Sequence, residues 1–347
     1  MDINQITIPS NATILDALHQ LNQVRSVSRL ILFVKDKKNK IIGSITDGDI
    51  RRSITINQDL QKPVEEVCFK NFVHHIEDGN FIDLSVYREQ NIKILPILNE
   101  DMTLSRVLDL DVIESTLPLE CMIMAGGRGK RLSPLTDTVP KPMLPLGNKP
   151  IIEHNIDRLI SYGIKKIYIS VKYLGDQLET YFGDGSSKGI EIEYVWEDQP
   201  LGTAGALALV DRFNSEHVLL MNSDLFTSVN FEDMYLLMLQ ENADMVVAST
   251  EYKVDVPYAV FETEDNKVKA FKEKPSYIYQ SNAGIYILKR SLIEQMNKNE
   301  YCDITDVMEK LVSDGGKLVY DPILGFWIDI GKPSDYKQAQ EFIKHFK

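Results

Sequence analysis

The sequence predicts two domains: a small α+β unit over residues 1–115, and a larger α/β unit built on a central sheet over residues 119–347. Three observations predict it. From Leu119 onward, apolar runs of strand length alternate with stretches of helical periodicity, the pattern of an α/β layer fold. Before that point, helix, strand, turn and strand recur twice at a spacing of about sixty residues, which marks a paired module. A short join over residues 109–118 separates the two, with Pro118 at the start of the second unit.

In the front unit, Ile14, Leu15, Leu18, Leu21 and Val24 recur at helical spacing and predict an opening amphipathic helix. Residues 30–34 read as a strand, the polar run DKKNK as a turn, and residues 41–45 as a second strand. Thr46, Asp47, Gly48 and Asp49 then cap a helix through Arg52, because short oxygen-bearing side chains satisfy the free N–H groups of a first turn. The second copy is weaker: residues 81–87 as helix, 94–98 as strand, 99–101 as turn and 104–110 to close.

The larger unit opens on an apolar run, residues 121–125, which reads as a buried strand. A helix over residues 149–162 follows. Pro150 suits its first turn, Ile152, Ile156, Leu159 and Ile160 share a face, and Gly163 ends it. Next come a strand at 166–171, a helix around 177–182 and a strand at 190–196. Residues 197–206 form a turn entering a helix, and a strand at 217–221 runs into Asn222-Ser223-Asp224. The closing helix after Pro333 turns Tyr336, Ala339, Phe342, Ile343 and Phe346 inward.

Composition limits what this chain does. No stretch approaches the ~18–20 apolar residues of a membrane span, and the first residues lack the basic start and apolar run of a secretory signal. Cys68, Cys121 and Cys302 lie far apart, an odd count without close spacing. That argues against a disulfide framework or a zinc site, and for a reducing cytoplasm. The six histidines, His74 and His75 among them, show no metal-ligand spacing. A formal net charge of −13 argues against nonspecific nucleic-acid binding. An acidic chain that binds phosphates must gather its cations locally.

That gathering follows the first strand of the larger unit. The chain stops at Gly126-Gly127, where bare backbone can lie against a phosphate, and Gly129, Lys130 and Arg131 come next. Lys141 stands between Pro140 and Pro142, and Pro142 disfavours helix at Lys141, so this lysine is expected on an extended segment. A glycine loop with three cations suits a polyphosphate. Two phosphate loops are excluded by spacing. No Gly-x4-Gly-Lys-Ser/Thr register exists, and from Gly127 and Gly129 the third position of G-x-G-x-x-G is Leu132.

The run LECMIMAGGRGKRLSPLTDTVPKPMLPL resembles the signature of the nucleoside-diphosphate-sugar pyrophosphorylases, the sugar-1-phosphate nucleotidyltransferases. Lys130 stands where that family usually has Thr, and Ser223 replaces the Gly of its N-G-D motif. Later runs fall in the family's order: QPLGTAG at 199–205, FKEKP at 271–275, SNAGIY at 281–286 and WIDIG at 327–331. The resemblance covers essentially all of residues 119–347. It implies a Rossmann-like, glycosyltransferase-A-type nucleotidyltransferase domain with a mixed central sheet. It also implies transfer of a nucleoside monophosphate from an NTP to a sugar 1-phosphate, with magnesium as cofactor. Arg131 would hold the leaving pyrophosphate and Lys141 the phosphates at the reacting centre. Ala125, Gly126, Gly127, Gly129, Glu197 and Gly202 would line the nucleotide. Glu273, Lys274, Asn282 and Gly284 would contact the sugar phosphate, and Asp224 and Asp329 would ligate Mg²⁺. The chain's end soon after the closing helix argues against a C-terminal left-handed β-helix, and so against the bifunctional N-acetylglucosamine uridylyltransferases.

The front unit resembles a tandem CBS pair, whose G-x-[IV]-T-x-x-D motif matches Gly43, Ile45, Thr46 and Asp49. The second copy lacks it. One adenine-nucleotide site, at Thr46 and Asp49, is therefore expected rather than two; a scaffolding pair, with Asp47 and Asp49 as plain helix caps, is the alternative. The base is expected to be guanine, because Glu197 and Asp198 offer carboxylates to its paired N1–H and N2–H donors. The fused layout also resembles glucosamine-1-phosphate guanylyltransferases of legionaminic acid pathways. Mannose 1-phosphate is the second sugar, and uridylyl, cytidylyl or thymidylyl transfer the further alternatives. A homo-oligomer is expected. A related glycosyltransferase would need Asp-x-Asp, which Asn222-Ser223-Asp224 does not supply. A noncatalytic nucleotide-sugar sensor would not need Arg131, Lys141, Asp224 and Asp329 together.

Overall fold

A computed structural model describes residues 3–24 and 28–345 and divides into two compact units, Met1–Thr116 and Leu117–Lys347. The first contains α1 (Ile3–Ile6), β1 (Thr7–Pro9), α2 (Ile14–Leu21), β2 (Ile31–Lys35), β3 (Ile41–Thr46) and α3 (Asp47–Asn57). It then repeats as β4 (His75–Ile76), α4 (Ser85–Glu89), β5 (Ile94–Leu98) and β6 (Leu104–Asp109). Each copy is a three-stranded sheet, β1-β2-β3 and β4-β5-β6, with the first pair parallel and the second antiparallel. Phe33 and Ile41 of the first copy pack with Ile94 and Leu98 of the second, so the copies share a core.

Two elements differ from the sequence reading. Thr46 and Asp49 close a capping box on α3, and the helix continues past Arg52 to Asn57. The helix expected over residues 81–87 shrinks to α4. The Asp83 carboxylate accepts from Ser85 N at 2.9 Å, so the chain turns there before helix begins, and Ile82 and Leu84 serve the core from outside it.

The second unit opens with β7 (Glu120–Met124), followed by 3₁₀ turns at Lys130–Leu132 and Lys141–Met143. A short pairing of β8 (Pro145–Leu146) with β9 (Lys149–Pro150) leads into α5 (Ile151–Ser161). Then come β10 (Lys166–Val171), α6 (Gly175–Phe182), β11 (Glu191–Trp196), a 3₁₀ turn at Gly205–Leu209, β12 (His217–Asn222), β13 (Leu225–Thr227) and α7 (Phe231–Gln240). The remainder is β14 (Met245–Asp255), β15 (Val260–Glu264), β16 (Lys267–Lys272), β17 (Ser276–Lys289), α8 (Arg290–Ile293), α9 (Ile304–Ser313), β18 (Leu318–Pro322), β19 (Trp327–Asp329) and α10 (Pro333–Ile343).

Seven strands form the central sheet in the order β11-β10-β7-β12-β17-β14-β18. β11, β10, β7 and β12 run parallel, while β17 is antiparallel to both β12 and β14, so the sheet is mixed. The chain leaves β7 toward β10 on one side and later returns to β12 on the other. Such a switch in strand order opens a crevice at the carboxyl ends of the strands. Cys121, Met122 and Ile123 of β7 are fully buried, as a central strand covered on both faces requires.

Lys141 is not on an extended segment as expected; it begins a 3₁₀ turn whose second residue is Pro142. A proline is tolerated there because the N–H it lacks has no partner in a first turn. Pro150 precedes α5 as its N-cap, since Lys149 and Pro150 are spent on pairing with β8. Residues 205–209 are 3₁₀, not α. On α10, Tyr336 and Ala339 are buried, and Phe342 meets Phe226 edge-on and Phe326 at a tilt at the rim. Phe346 lies outside the described residues.

Burial holds the imidazoles of His154 on α5 and His217 on β12 below the ordinary histidine value of 6.5. The folded state therefore binds fewer protons than the unfolded chain near that pH. The stabilisation is present above about pH 6.5 and is lost as the pH falls toward the depressed folded values. Thermal midpoints at pH 7.5 and 5.5 should show acid destabilisation, and the double variant His154→Gln/His217→Gln should lose part of that slope. An unchanged slope would show that the two histidines do not control it.

Candidate active site

Three strand ends set the floor of the site. Beyond β7, Ala125 N donates to Ser170 O of β10 at 2.9 Å, carrying the pairing one step further before the glycine loop departs. At Gly126 the loop presses on Glu197, which follows β11. A methyl group at Gly126 would stand 2.8 Å from Glu197 Oε1, so no larger residue fits without movement. Glu197 is itself buried and held, with Oε1 accepting from Ser170 Oγ and Oε2 accepting from Leu201 N at 3.0 Å. Each oxygen keeps a second lone pair. This one carboxylate thus ties together β10, the glycine loop and the turn after residue 200.

That turn is braced from far along the sequence. Ala204 N and Gly205 N donate to Cys302 O, and Cys302 N donates to Leu201 O, all at 2.9–3.1 Å. Gly202 has φ +79°, and a methyl there would lie 2.6 Å from Cys302 O. Asp303 accepts from Thr203 N at 3.0 Å and from the Tyr301 hydroxyl at 2.7 Å.

A second, smaller core holds the charged residues. Leu132, Leu144, Leu146, Phe226, Ile328, Ile330 and Tyr336 pack in one buried cluster, and Arg131 and Asp329 adjoin its members in the chain. Arg131 precedes Leu132; Asp329 lies between Ile328 and Ile330, and strand alternation sends it to the opposite side from them. β13 pairs antiparallel with β19, placing Leu225 opposite Asp329, and Ile330 N donates to Asp224 O at 3.1 Å. The two aspartates are thereby neighbours on a two-stranded ribbon. The buried Asn155 side chain donates to Leu225 O at 2.9 Å, pinning the turn that bears Asp224.

These pieces enclose a cleft of about 920 Å³ lined by the loop from Ala125 to Arg131, Lys141, Glu197, Gly202, Asn222 and Asp224. Lys141, almost fully buried, makes an ion pair with Asp224. Arg131 approaches Asp329: a methyl on Gly331 would lie 3.3 Å from Arg131 Nη2 and 3.4 Å from Asp329 Oδ2. Packing raises the Asp329 carboxyl above the ordinary Asp range and the Asp224 charge adds to it, while Lys141 and Arg131 oppose. Two hard carboxylates with mutual repulsion only partly relieved by lysine and arginine suit a divalent cation. Among the described residues no third acidic, histidine or cysteine group joins them. The donor set fits Mg²⁺, which takes one or two carboxylates and completes its shell with water and phosphate oxygens.

Other expected residues fall elsewhere. Glu273 and Lys274 are exposed at the junction of β16 and β17, away from the cleft lining. Asn282 is exposed on β17 and its Oδ1 accepts from Gly284 N and the Tyr286 hydroxyl, both at 2.9 Å. Gly284 is buried against Asn222, one layer behind the cleft. In the front unit, Thr46, Asp47 and Gly48 open on a cleft of about 510 Å³ also lined by Arg29, Asn91 and Lys93. Asp49 faces away into the capping box and an ion pair with Arg52.

Sequence reasoning missed several lining residues. Arg128 stands with its guanidinium 5.3 Å above the Tyr173 ring, and Lys172 donates to Glu197 O at 3.1 Å. Arg128 could have been found as a fourth cation of the glycine loop. Tyr301 and Asp303 carry no local signal, because only tertiary contact brings them to residues 201–205. Gly126→Ala should weaken nucleotide binding by at least about tenfold, ~1.4 kcal/mol, through displacement of Glu197. Calorimetric titration of the folded variant with NTP measures it; wild-type affinity would show that the loop has slack.

The pattern of the Nucleotidyl transferase family matches residues 120–345, and that of the CBS domain matches residues 1–56. The chain is 32% identical to mannose-1-phosphate guanyltransferase beta-A of Xenopus laevis over 226 residues, covering 63% of this chain and 62% of that protein. It therefore spans less than two thirds of that relative's length. It is 34% identical to D-glycero-alpha-D-manno-heptose 1-phosphate guanylyltransferase of Aneurinibacillus thermoaerophilus, covering 66% of this chain and all of that one. The crystal structure of HddC from Yersinia pseudotuberculosis superposes with a TM-score of 0.52 at 24% identity, over 65% of this chain and 99% of that one, a likeness of fold. Strand order, the glycine loop and a match running through both the loop and the paired aspartates agree on one conclusion: this chain belongs to the nucleotidyl transferase family.

Proposed function

We propose that the protein transfers GMP from GTP to a sugar 1-phosphate, with glucosamine 1-phosphate as the sugar substrate, releasing pyrophosphate and forming a GDP-sugar. The observation that carries the reading is the convergence of Lys141 and Arg131, which line the glycine-loop cleft, on Asp224 and its neighbour Asp329. An oxygen of the sugar phosphate attacks the α-phosphorus, the new P–O bond forms as the α–β bond breaks, and pyrophosphate carries away the electron pair. No protein nucleophile is required; positioning and charge neutralisation suffice.

Each group has a task in this scheme. The backbone of residues 125–129 lies along the nucleotide, and Arg131 holds the departing pyrophosphate. Lys141 exchanges its Asp224 partner for a phosphate oxygen at the reacting centre, which leaves Asp224 free beside Asp329. Those two carboxylates would hold Mg²⁺, which when bound neutralises phosphate charge. Glu273, Lys274 and Asn282 would contact the sugar phosphate, and Gly284, packed against Asn222 behind the cleft, would shape the wall beneath it.

Guanine is supported by the guanylyl activity named for both relatives above and by the Glu197 carboxylate at the cleft wall. The named mannose and heptose substrates make mannose 1-phosphate the second candidate. In the front unit, one adenine nucleotide would bind at the start of α3, where helix N–H groups and dipole favour a phosphate, with Thr46 and Asp49 shaping the turn.

Asp224→Ala should lower kcat by at least ~10² with the fold intact, because it removes stabilisation of developing charge. Near-normal turnover at saturating Mg²⁺ would remove Asp224 from the metal site. Pyrophosphate release measured with GTP, UTP, CTP and dTTP should give the highest kcat/KM for GTP; a pyrimidine preference overturns the base assignment. Calorimetric titration of AMP, ADP and ATP should reveal one site per chain, lost in Thr46→Ala/Asp49→Ala. No binding to the wild type leaves the front unit as an assembly element.

A further inference from the structure

A second cavity lies behind the turn at residues 201–205. It encloses about 450 Å³ between α8, the connection that follows it and α9. Its floor is apolar: Leu292, Met296, Cys302, Val307 and Leu311, all packed on the core beneath the central sheet. The rim is acidic. Asp244 is already balanced, its carboxylate accepting from Lys289 Nζ and Lys317 N, both at 2.8 Å. Glu300 accepts from the neutral Asn297 amide at 2.8 Å, and Asp306 from Asp303 N at 3.0 Å. Among the described residues, Glu300, Asp306 and Asp314 have no ion-pair partner, and Lys310 is the one cation that lines the cavity.

A single thickness of backbone separates this cavity from the glycine-loop cleft. Tyr301 lines both, Cys302 lines the second cavity, and Asp303 lines the cleft. The last two also brace the turn: Cys302 bonds through its backbone to Leu201, Ala204 and Gly205, and Asp303 accepts from Thr203 N. The packing has no slack. A methyl group at Gly202 would lie 2.6 Å from Cys302 O, and one at Gly205 would lie 2.7 Å from Glu300 O. An occupant that fixes residues 300–303 therefore fixes the turn as well.

We propose that this cavity binds a small organic cation, an ammonium group on a compact apolar body, and that its occupancy tightens nucleotide binding across the shared wall. Its size falls within the ~300–1,000 Å³ of ligand pockets, with the apolar lining and few polar groups that such pockets have. Charge selects the occupant. Three carboxylates facing one ammonium attract a cation and repel a carboxylate or phosphate. Cys302 senses the same field: burial holds its thiol above the ordinary value, and the Asp306 and Asp303 charges add to that. Ordering residues 301–303 in advance lowers the cost of ordering the turn around a nucleotide, so the two ligands favour each other. The coupling rests on assigning that turn to the nucleotide; the cation site does not.

Calorimetry on the full-length chain without nucleotide tests the site. Phenethylamine should bind once per chain, and phenylacetate, of similar shape and opposite charge, should not bind. Met296→Trp should fill the cavity and abolish binding, with circular dichroism unchanged. Should that variant fail to fold, Glu300→Gln/Asp314→Asn reads the same site through its exposed rim, and should weaken phenethylamine at least fivefold. No binding to the wild type, equal binding of phenylacetate, or undiminished binding in the folded variants overturns the site. Titrating GTP with and without saturating phenethylamine then tests the coupling. The Kd for GTP should fall about fivefold when the cation is bound. Unchanged or weaker GTP binding overturns the coupling, whereas a chain that binds phenethylamine and no GTP at all places the failure in the nucleotide assignment.

Discussion

The site depends on one small hydrophobic cluster. Leu132, Leu144, Leu146, Phe226, Ile328 and Ile330 come from segments scattered across two hundred residues of chain, about the span of a domain, and are buried together. Leu132 brings Arg131 with it, and Ile328 and Ile330 bring Asp329 between them. Burial of a Leu, Ile or Phe side chain contributes about 1.5–3 kcal/mol, enough to hold like and unlike charges at close range where water would otherwise separate them. Asp329 shows the coupling most plainly: its two isoleucine neighbours are buried, so its own carboxylate must face Asp224 and Arg131.

Charge balance then follows from that placement. Lys141 is almost fully buried, and a buried ammonium without a counter-ion is strongly disfavoured. Asp224 supplies the counter-ion, and under the proposed function an incoming phosphate would take over that role. Glu197 performs a comparable service beside the glycine loop. Held by Ser170 and Leu201, it fixes the distance between the glycine loop and the turn at residues 201–205.

Much of this was legible in the residues. The strand at 166–171 matched its expected bounds, and the repeated module appeared twice with the same strand pairing. Arg131, Lys141, Asp224 and Asp329, placed by family resemblance, lie in one region. What was not legible depended on tertiary partners. Pro150 suits a helix start by itself, but its pairing with Pro145 moves the helix boundary. The bracing by Cys302 and Asp303 comes from a segment about a hundred residues away, beyond any local pattern. The exposed position of Glu273 and Lys274 follows from their place at the junction of β16 and β17, which no local pattern marks.

The central claim is that Lys141 and Asp224 act as one unit, exchanging partners when phosphate arrives. A double-mutant cycle on kcat for pyrophosphate release, with Lys141→Gln, Asp224→Asn and both together, tests it most directly. Contacting residues of this kind couple by about 0.5–3 kcal/mol. The account expects the double variant to be no more than a few-fold worse than the poorer single one. Strictly additive losses in the folded variants would show that the two residues act independently, and would contradict it.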